Sequence, residues 1–552
     1  MAAHVQRPRS ARPRIFCGQV LTGREHMSPA MTPIEGLLTS MTARGYALVE
    51  THISWVLLGE HDVYKLKKPV DFGFLDFTSL DKRREACEAE VALNRRLSPE
   101  VYLGTVPVTG ENPPKFGGAG PALEWAVHMR RLPDRDRADV RLAEGRLTPE
   151  HLVAVAERIA AFHAEARCDS DTAAFGAVDR IAANVQENFE QTRLSVAHYL
   201  DSSLVDEVKD FQLGLLQREP ARFEARVAAG RVRDGHGDLR LEHVYISDDG
   251  ELSIIDCIEF NERFRFGDVC ADIAFLGMDL ARLGHVELSE ACIAAYARAA
   301  DDYDLYTVLD FYESYRAYVR GKIASLVAED DHAPRPVRDQ AKLEARRDYV
   351  LAAAAHRGSL LSPALIAVGG IIATGKSTVA EAIAGERSAP IVDADRTRKH
   401  LVGKQPTEKI DDEAFQGAYT PEMTEQVYAE VLRRAAVVLR SGRPVIVDAS
   451  FRARAFRLRA RDLARSLGVP FRFVECRAPT EVCRQRLEVR ARQRSVSDGR
   501  IEIFDDFVAS WQAVDELSAD EHLVLDTARP IEANLDVVRE RAVPSWPAGL
   551  ND

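Results

Sequence analysis

Residues 370–378 read Gly-Ile-Ile-Ala-Thr-Gly-Lys-Ser-Thr, which fits G-x-x-x-x-G-K-[ST] at Gly370, Gly375, Lys376 and Ser377. An apolar run, Ala364–Val368, precedes this segment, and an apolar-periodic stretch over 376–384 follows it. The spacing predicts a strand, a tight loop and a helix. Few folds accept that order. Small residues let backbone N–H groups curl around a phosphate, and the helix behind them presents its positive N-terminus. In such a loop Lys376 reaches the β/γ-phosphates, Ser377 holds Mg²⁺, and Thr378 belongs to the same nucleotide-binding set. ATP and Mg²⁺ are therefore the expected ligands. Ala373 and Thr374 leave this loop less backbone freedom than glycines would.

Downstream, strands alternate with helices: PIVDAD, helix 421–440, PVIVDAS, helix 453–467, FRFVEC, helix 480–493, HLVLDT. That alternation predicts an α/β domain over 361–545, with a parallel sheet and helices on both faces. In such sheets the chemistry sits at the carboxyl ends of strands. Asp448 ends VIVD and is expected to hold the Mg²⁺ water shell. Asp395 follows IVDAD and is placed to orient or deprotonate a substrate hydroxyl. Arg398, on the adjoining turn, is expected to hold a substrate anion. For each acid the alternative is a helix N-cap. Arg486, Arg490 and Arg494 share one helix face at i, i+4, i+8. They read as a lid that neutralises charge on a transferred phosphoryl group, or else as a solvated basic face.

A second constellation lies upstream. Residues 236–243 read HGDLRLEH, then VYI, the turn SDDG, and a strand LSIID that ends in Asp256. A loop aspartate, a hairpin and a second aspartate form the layout of a protein-kinase-like site. Asp238 would accept a hydroxyl proton while Asp256 holds Mg²⁺. Further upstream, Ile53–Leu58 and Val63–Leu66 read as a hairpin across Gly59. Lys65 is the candidate strand lysine, and Lys67 competes because alternation puts it on the same face. Glu90, in the charged helix 81–97, is the candidate ion-pair partner. The alternative for Lys65 and Glu90 is a solvated surface pair. That helix has a weak apolar stripe at Ala86, Val91, Leu93 and Leu97. A helix after Thr148 places Leu152, Val155, Ile159 and Phe162 at helical spacing.

Length and charge set the frame. The chain has 552 residues, and at roughly 150 residues per domain this predicts three or four compact units. Residues 1–30 carry Arg7, Arg9, Arg12, Arg14 and Arg24 before the first acid, Glu25, without an apolar stretch, and read as a disordered basic leader. Met27 and Met31 are alternative starts. The kinase-like region spans 31–328, with lobes at about 45–130 and 131–325. The polar, proline-containing stretch 329–360 reads as a connector that runs into a helix at 338–356. The net charge of −13 argues against a nucleic-acid binder held by a global basic field. No apolar run approaches about 18 residues, so no membrane-spanning helix is expected. The eight cysteines form no CxxC pair, so neither a zinc site nor a redox motif is expected. A cytoplasmic protein follows. Its oligomeric state stays open.

Two resemblances add to this reading. GGIIATGKST, VDADRTRKHL, AYTPEMTEQVY, VIVDASF and CRQRLEVRAR resemble the small P-loop kinases, with gluconate kinases, chloramphenicol phosphotransferases and zeta-toxin-like kinases nearest. That likeness implies that Asp395 and Arg398 face substrate, Lys376 and Ser377 face nucleotide, and Arg490 acts from the lid. HGDLRLEHV, IIDCIEF and FGDVCADIAF resemble the aminoglycoside phosphotransferase (APH-like) family over about 45–325, with FHAEA and MRRLP fitting its helix and hinge. There the second metal ligand is usually an asparagine, and this chain has His243 at that position, although Mg²⁺ prefers oxygen. No glycine-rich loop covers the phosphates, since only Gly59 lies in the first hairpin. The order of the two signatures resembles bacterial fusions of an APH-like domain with an AAA-type or P-loop ATP-binding domain. No arginine-finger context or second-region motif calls for a hexameric ring.

The leading expectation is an ATP-dependent phosphotransferase acting on an alcohol group of a small hydroxylated molecule. Its centre would lie in the P-loop domain, with the APH-like domain as a second or regulatory site. The alternatives are a nucleotide-binding switch without small-molecule phosphorylation and an aminoglycoside-modifying phosphotransferase. Neither nucleic acid nor membrane is an expected partner.

Overall fold

The computed structural model describes residues 33–73, 75–110, 113–331, 333–410, 412, 416–490, 496 and 499–541. The basic leader 1–30 and Arg494 lie outside the described residues. The chain divides into two compact units, neither continuous in sequence. The first holds residues up to Arg146, Gly235–Phe266 and Asp330–Arg335, and the second holds Leu147–Asp234, Gly267–Glu329 and Pro336 onward.

The first unit is built on a six-stranded antiparallel sheet. Its spatial order is Ala47–Glu50, Ser54–Leu58, Asp62–Lys67, Glu124–Arg130, Tyr102–Thr109 and Lys115–Phe116. Alternation sends Leu57, Leu66, Val108 and Ala126 to one face, where Leu37, Leu38 and Met41 of helix Pro33–Ala43 cover them. Val63, Val127 and Met129 go to the other face, under Cys87 and Val91 of helix Leu80–Asn94. Ser79 caps that helix by accepting the Lys82 N–H at 3.2 Å. Its inner face holds Arg83, Cys87, Glu90, Val91 and Asn94. The apolar stripe expected from the sequence is thus only partly the buried one. Polar residues share the buried face because they meet ionic partners there. A separate hairpin, Val244–Ile246 with Leu252–Ile254, carries the chain from Asp238 to Asp256.

In the second unit, helix Pro149–Glu165 begins at a capping box of Thr148 and His151, with Pro149 in its first turn. It buries Leu152, Val155, Ile159 and Phe162, the stripe read from the sequence. The C-terminal part carries a five-stranded parallel sheet in the order Ile391–Asp393, Val445–Asp448, Leu365–Gly369, Phe471–Arg477, His522–Asp526. Strand Leu365–Gly369 is central and buried throughout, as its continuous apolar run requires. Its core includes Ile366, Val368, Ile446, Val474 and Leu523, together with Val379 and Ile383 of the helix after the loop.

The expected connector is largely packed structure. Helix Arg335–Ala355 buries Ala341, Ala345, Tyr349 and Ala352. The Ser314 hydroxyl donates to the Ala352 carbonyl at 2.9 Å. A Cβ on Gly321 would lie 2.7 Å from the Tyr349 ring, so the two helices meet there at the closest approach a glycine permits. Among the described residues, no helix is long and apolar enough to cross a membrane.

Candidate active sites

The loop Gly370–Gly375 leaves the central strand of the parallel sheet and enters helix Lys376–Arg387. Gly370 is obligatory: a Cβ there would lie 2.5 Å from the Cys476 carbonyl oxygen. Gly375 has φ +83°, a left-handed conformation that glycine adopts freely. Ala373 takes φ +62° without that freedom, so the loop stores some backbone strain where a phosphate would sit. Lys376 Nζ donates to the Ile371 carbonyl at 3.0 Å, folding its ammonium over the loop. Ser377 and Thr378 are exposed at the mouth.

Three acids converge beside this loop. Asp448 accepts a hydrogen bond from the Ser377 hydroxyl. Burial and the neighbouring Asp393 charge push Asp448 up to about 7, against the pull of Lys376 and Ser377. Burial and Asp393 also raise Asp395, while Arg398, Lys376 and Lys399 oppose the rise. The capping role falls to Asp393, whose carboxylate accepts the N–H groups of Asp395 at 2.8 Å and Arg396 at 3.0 Å. The Asp395 side chain is therefore not the cap of this helix. Arg398 is buried; it donates to the Ala418 carbonyl at 2.5 Å and lies over the Tyr419 ring at 4.6 Å. Arg490 ends helix Thr480–Arg490. The arginine of this helix that reaches the phosphate loop is Arg486, which donates to the Ala373 carbonyl at 3.2 Å and the Thr527 carbonyl at 2.6 Å. Thr527 in turn donates its hydroxyl to Thr374 O at 2.5 Å.

The site of the first unit uses both candidate lysines. Lys65 Nζ lies 2.9 Å from Glu90 Oε1 and 2.7 Å from Asp256 Oδ1. Lys67, with a fully buried side chain, pairs with the other Glu90 oxygen and with Glu259. The lysine and Glu90 are therefore not a solvated surface pair. Burial opposes the charge on Lys65, but Asp256, Glu90 and Glu259 outweigh it and raise its pKa well above the usual range. Burial would likewise raise Asp256, yet Lys65 and His243 hold it below the ordinary carboxylate range. Asp256 has φ +70°, and its N–H donates to the Tyr102 hydroxyl at 3.1 Å. This left-handed residue turns the end of the hairpin toward Lys65.

Asp238 receives Arg240 on both carboxylate oxygens at 3.1 Å each. His236 braces the loop: Nε2 donates to Ile255 O at 3.0 Å, and Nδ1 accepts the Asp238 N–H at 3.3 Å. His243 Nδ1 lies 2.8 Å from the Asp238 carbonyl, which can only accept, so Nδ1 carries the proton. Its Nε2 faces Asp256 at 3.6 Å. The histidine thus bridges the two aspartates, and its nitrogen is a poor match for Mg²⁺. Gly59 has a packing reason to be glycine, because a Cβ there would lie 2.6 Å from the Tyr46 ring.

Among the described residues, no group of three or more His, Cys, Asp or Glu side chains is arranged to hold a metal alone. Mg²⁺ that arrives with a nucleotide takes most of its shell from phosphates and water and needs few protein oxygens. Ser377 and Asp448 offer the oxygens that such a shell needs. The sequence reading overlooked Glu259, Asp393 and Thr527. The first stands three residues after Asp256 and the second two residues before Asp395, so both signals were in the quoted strings.

A family model described as "AAA domain" matches residues 365–514, and one described as "Phosphotransferase enzyme family" matches 60–312. The protein Rv2004c of Mycobacterium tuberculosis is 30% identical over 486 residues, covering 88% of this chain and 93% of its own length. Mb2027c of Mycobacterium bovis matches to the same extent. Among solved structures, a gluconokinase from Sinorhizobium meliloti is 21% identical, with 33% of this chain and 94% of that one covered at a TM-score of 0.24. An ethanolamine kinase from Plasmodium vivax is 9% identical, with 55% and 81% covered at a TM-score of 0.31. With both domain models in tandem and the mycobacterial relatives matched over nearly their full length, the chain belongs to the family of bacterial fusion proteins that join an aminoglycoside-phosphotransferase-like kinase domain to a P-loop ATP-binding domain.

Proposed function

We propose that the protein is an ATP-dependent phosphotransferase whose principal centre is the P-loop site and whose acceptor is a hydroxyl of a small molecule. One observation carries this reading: Lys376, the Ser377–Asp448 pair and Asp395 converge on an intact phosphate loop. Bound MgATP supplies the phosphoryl group. Ser377 and Asp448 would hold the nucleotide's Mg²⁺ and its water, which would neutralise charge on the phosphates, and Lys376 would turn from Ile371 O toward the phosphates. The acceptor oxygen forms the new bond to phosphorus as the bond to the departing ADP oxygen breaks, and its proton passes to Asp395. A carboxylate whose pKa is raised by burial and Asp393 takes that proton more readily than an exposed one. Arg398 is placed to hold an anionic part of the acceptor. Neither nucleic acid nor membrane has a part in this reaction. The described cysteines are all free, which fits a reducing, cytoplasmic setting.

The first unit favours a second, regulatory role. Its candidate base Asp238 is clamped by Arg240, and Lys65 is already paired with Asp256. Nucleotide binding there would have to break these pairs, as a sensor does.

ATP turnover in Lys376→Ala and Asp238→Ala, measured separately, tests the assignment. Lys376→Ala is expected to lose about 100-fold or more, and Asp238→Ala to keep most activity. Full turnover in Lys376→Ala would overturn it.

A further inference from the structure

The acceptor side of the P-loop site rests on a three-residue edge strand, Ile391–Asp393, and the eight-residue helix Ala394–Leu401. The helix carries Asp395 and Arg398. An edge strand leaves one side of its backbone without a ladder partner. Here that side is met by a turn from the helical part of the same unit, at 298–304, a segment within the phosphotransferase-family match.

The Tyr303 hydroxyl donates to the carbonyl of Ile391, the first residue of the strand. Tyr303 is almost wholly buried, and the Arg434 guanidinium lies 5.3 Å above its ring. Asp301 holds Arg434 with both oxygens, at 2.7 and 2.8 Å. The same carboxylate lies 2.8 Å from His400 Nδ1, on the helix that carries Asp395. Arg434 also reaches the Thr397 hydroxyl at 3.4 Å on that helix. Arg298 Nη2 stands 3.8 Å from Asp393, the residue that caps the helix. Asp301 has φ +48°, a conformation that costs a non-glycine residue about 1–2 kcal/mol. The surrounding contacts are what hold it there.

We infer that Asp301 and Tyr303 of the kinase-like half are positioning residues for the P-loop half: they clamp strand 391–393 and helix 394–401, and so fix where Asp395 meets the acceptor. The inference rests on the P-loop site being the transfer centre. It adds that this centre is incomplete without the preceding domain. On the nucleotide side, loop 370–375 is held by Thr527 and Arg486. Helix Lys376–Arg387 meets the turn through Arg298, which donates to Glu381 at 3.4 Å, while the contacts of Asp301 and Tyr303 given above go to the acceptor side and Arg434. The two sides should therefore separate on mutation.

The test uses the full chain with Tyr303→Phe, which removes one hydroxyl, and Asp301→Asn, whose partly exposed side chain keeps its shape. Three readouts are taken: segment-resolved amide hydrogen exchange, basal MgATP hydrolysis with water as acceptor, and affinity for a fluorescent ATP analogue. The expected result is exchange over 391–401 faster by about tenfold, with 376–387 unchanged. Hydrolysis kcat falls about fivefold while analogue Kd stays within about twofold. A general loosening of the fold would instead move both segments and both constants together, and that outcome overturns the inference. So does unchanged protection over 391–401 in both variants. Should Tyr303→Phe fail to fold, Asp301→Asn carries the same three readouts. If Lys376→Ala hydrolysed ATP normally, the proposed centre would fall, and the exchange comparison would still decide the clamp.

Discussion

Asp393 and Asp448 stand opposite one another in register on neighbouring parallel strands, and both side chains are more than nine-tenths buried. Two carboxylates so close resist joint ionisation unless a cation joins them. Asp448 also faces the Ser377 hydroxyl, so the cation expected there is the nucleotide's Mg²⁺. In Asp448→Asn, the Mg²⁺ concentration for half-maximal ATP hydrolysis should rise about tenfold or more. A Mg²⁺ titration of initial rates checks this. An unchanged midpoint would remove Asp448 from the metal's surroundings.

Arg486 ties the phosphate loop to the last strand through Ala373 O and Thr527 O. Arg486→Ala leaves two carbonyls without these charge-assisted donors, a loss of about 1–3 kcal/mol. The loop should loosen, and affinity for an ATP analogue should weaken about tenfold. Isothermal titration of the parent and the variant measures the difference.

Lys67 and Lys65 should differ in what they hold together. Lys67→Met takes from buried Glu259 its lysine partner and leaves Glu90 with Lys65 alone, and breaking such a buried pair costs about 3–5 kcal/mol. Lys65→Met leaves Glu90 still paired with Lys67 and frees Asp256, whose side chain is 41% exposed. The cost should therefore be smaller, about 1–2 kcal/mol. Urea unfolding of the two variants gives the ranking. Equal losses would mean that Glu259 does not depend on Lys67.

Three acids share Arg443: Glu290 at 2.7 Å, Asp310 at 2.9 Å and Glu313 at 3.7 Å. Burial, together with Glu290 and Asp310, pushes Glu313 up to about 8 despite Arg443. A carboxyl raised in the folded state adds stability below its ordinary pKa and loses it as pH rises through the folded one. The window therefore runs from about 4.5 to about 8. Glu313→Gln should match the parent near the low end and exceed it above the high end by about 1–3 kcal/mol. Melting temperatures across that range decide it, and parallel curves would refute the shift.

The phosphate loop was legible because its residues are contiguous and its chemistry is local. The pairing of Asp238 with Asp256 was legible for a related reason, since one short hairpin separates them. Glu90 could be named because alternation and helix spacing bring it under Lys65 and Lys67. Arg486 was assigned to a lid face because helix periodicity cannot say which strand a helix end will meet. Its partner Thr527 lies 41 residues away. Asp395 and Asp393 looked alike in VDAD, and only the hydrogen bonds of the helix start tell the cap from the free acid. A helix was expected at 338–356, but the packing of helix Arg335–Ala355 was not legible, because its buried stripe is mostly alanine, which scarcely marks a hydrophobic pattern.

That alanine stripe bears on how the chain tolerates change. Connectors between fused enzymes usually accept insertions because little of their backbone is buried. Here Tyr349 fills the notch at Gly321, and Ala345 and Ala352 are fully enclosed. An extra residue within the helix would rotate every later side chain by about 100° and turn the stripe out of its groove. The fusion point should therefore be among the most length-constrained segments of the family, and recombination that swaps one domain for another would have to carry this helix along with its groove.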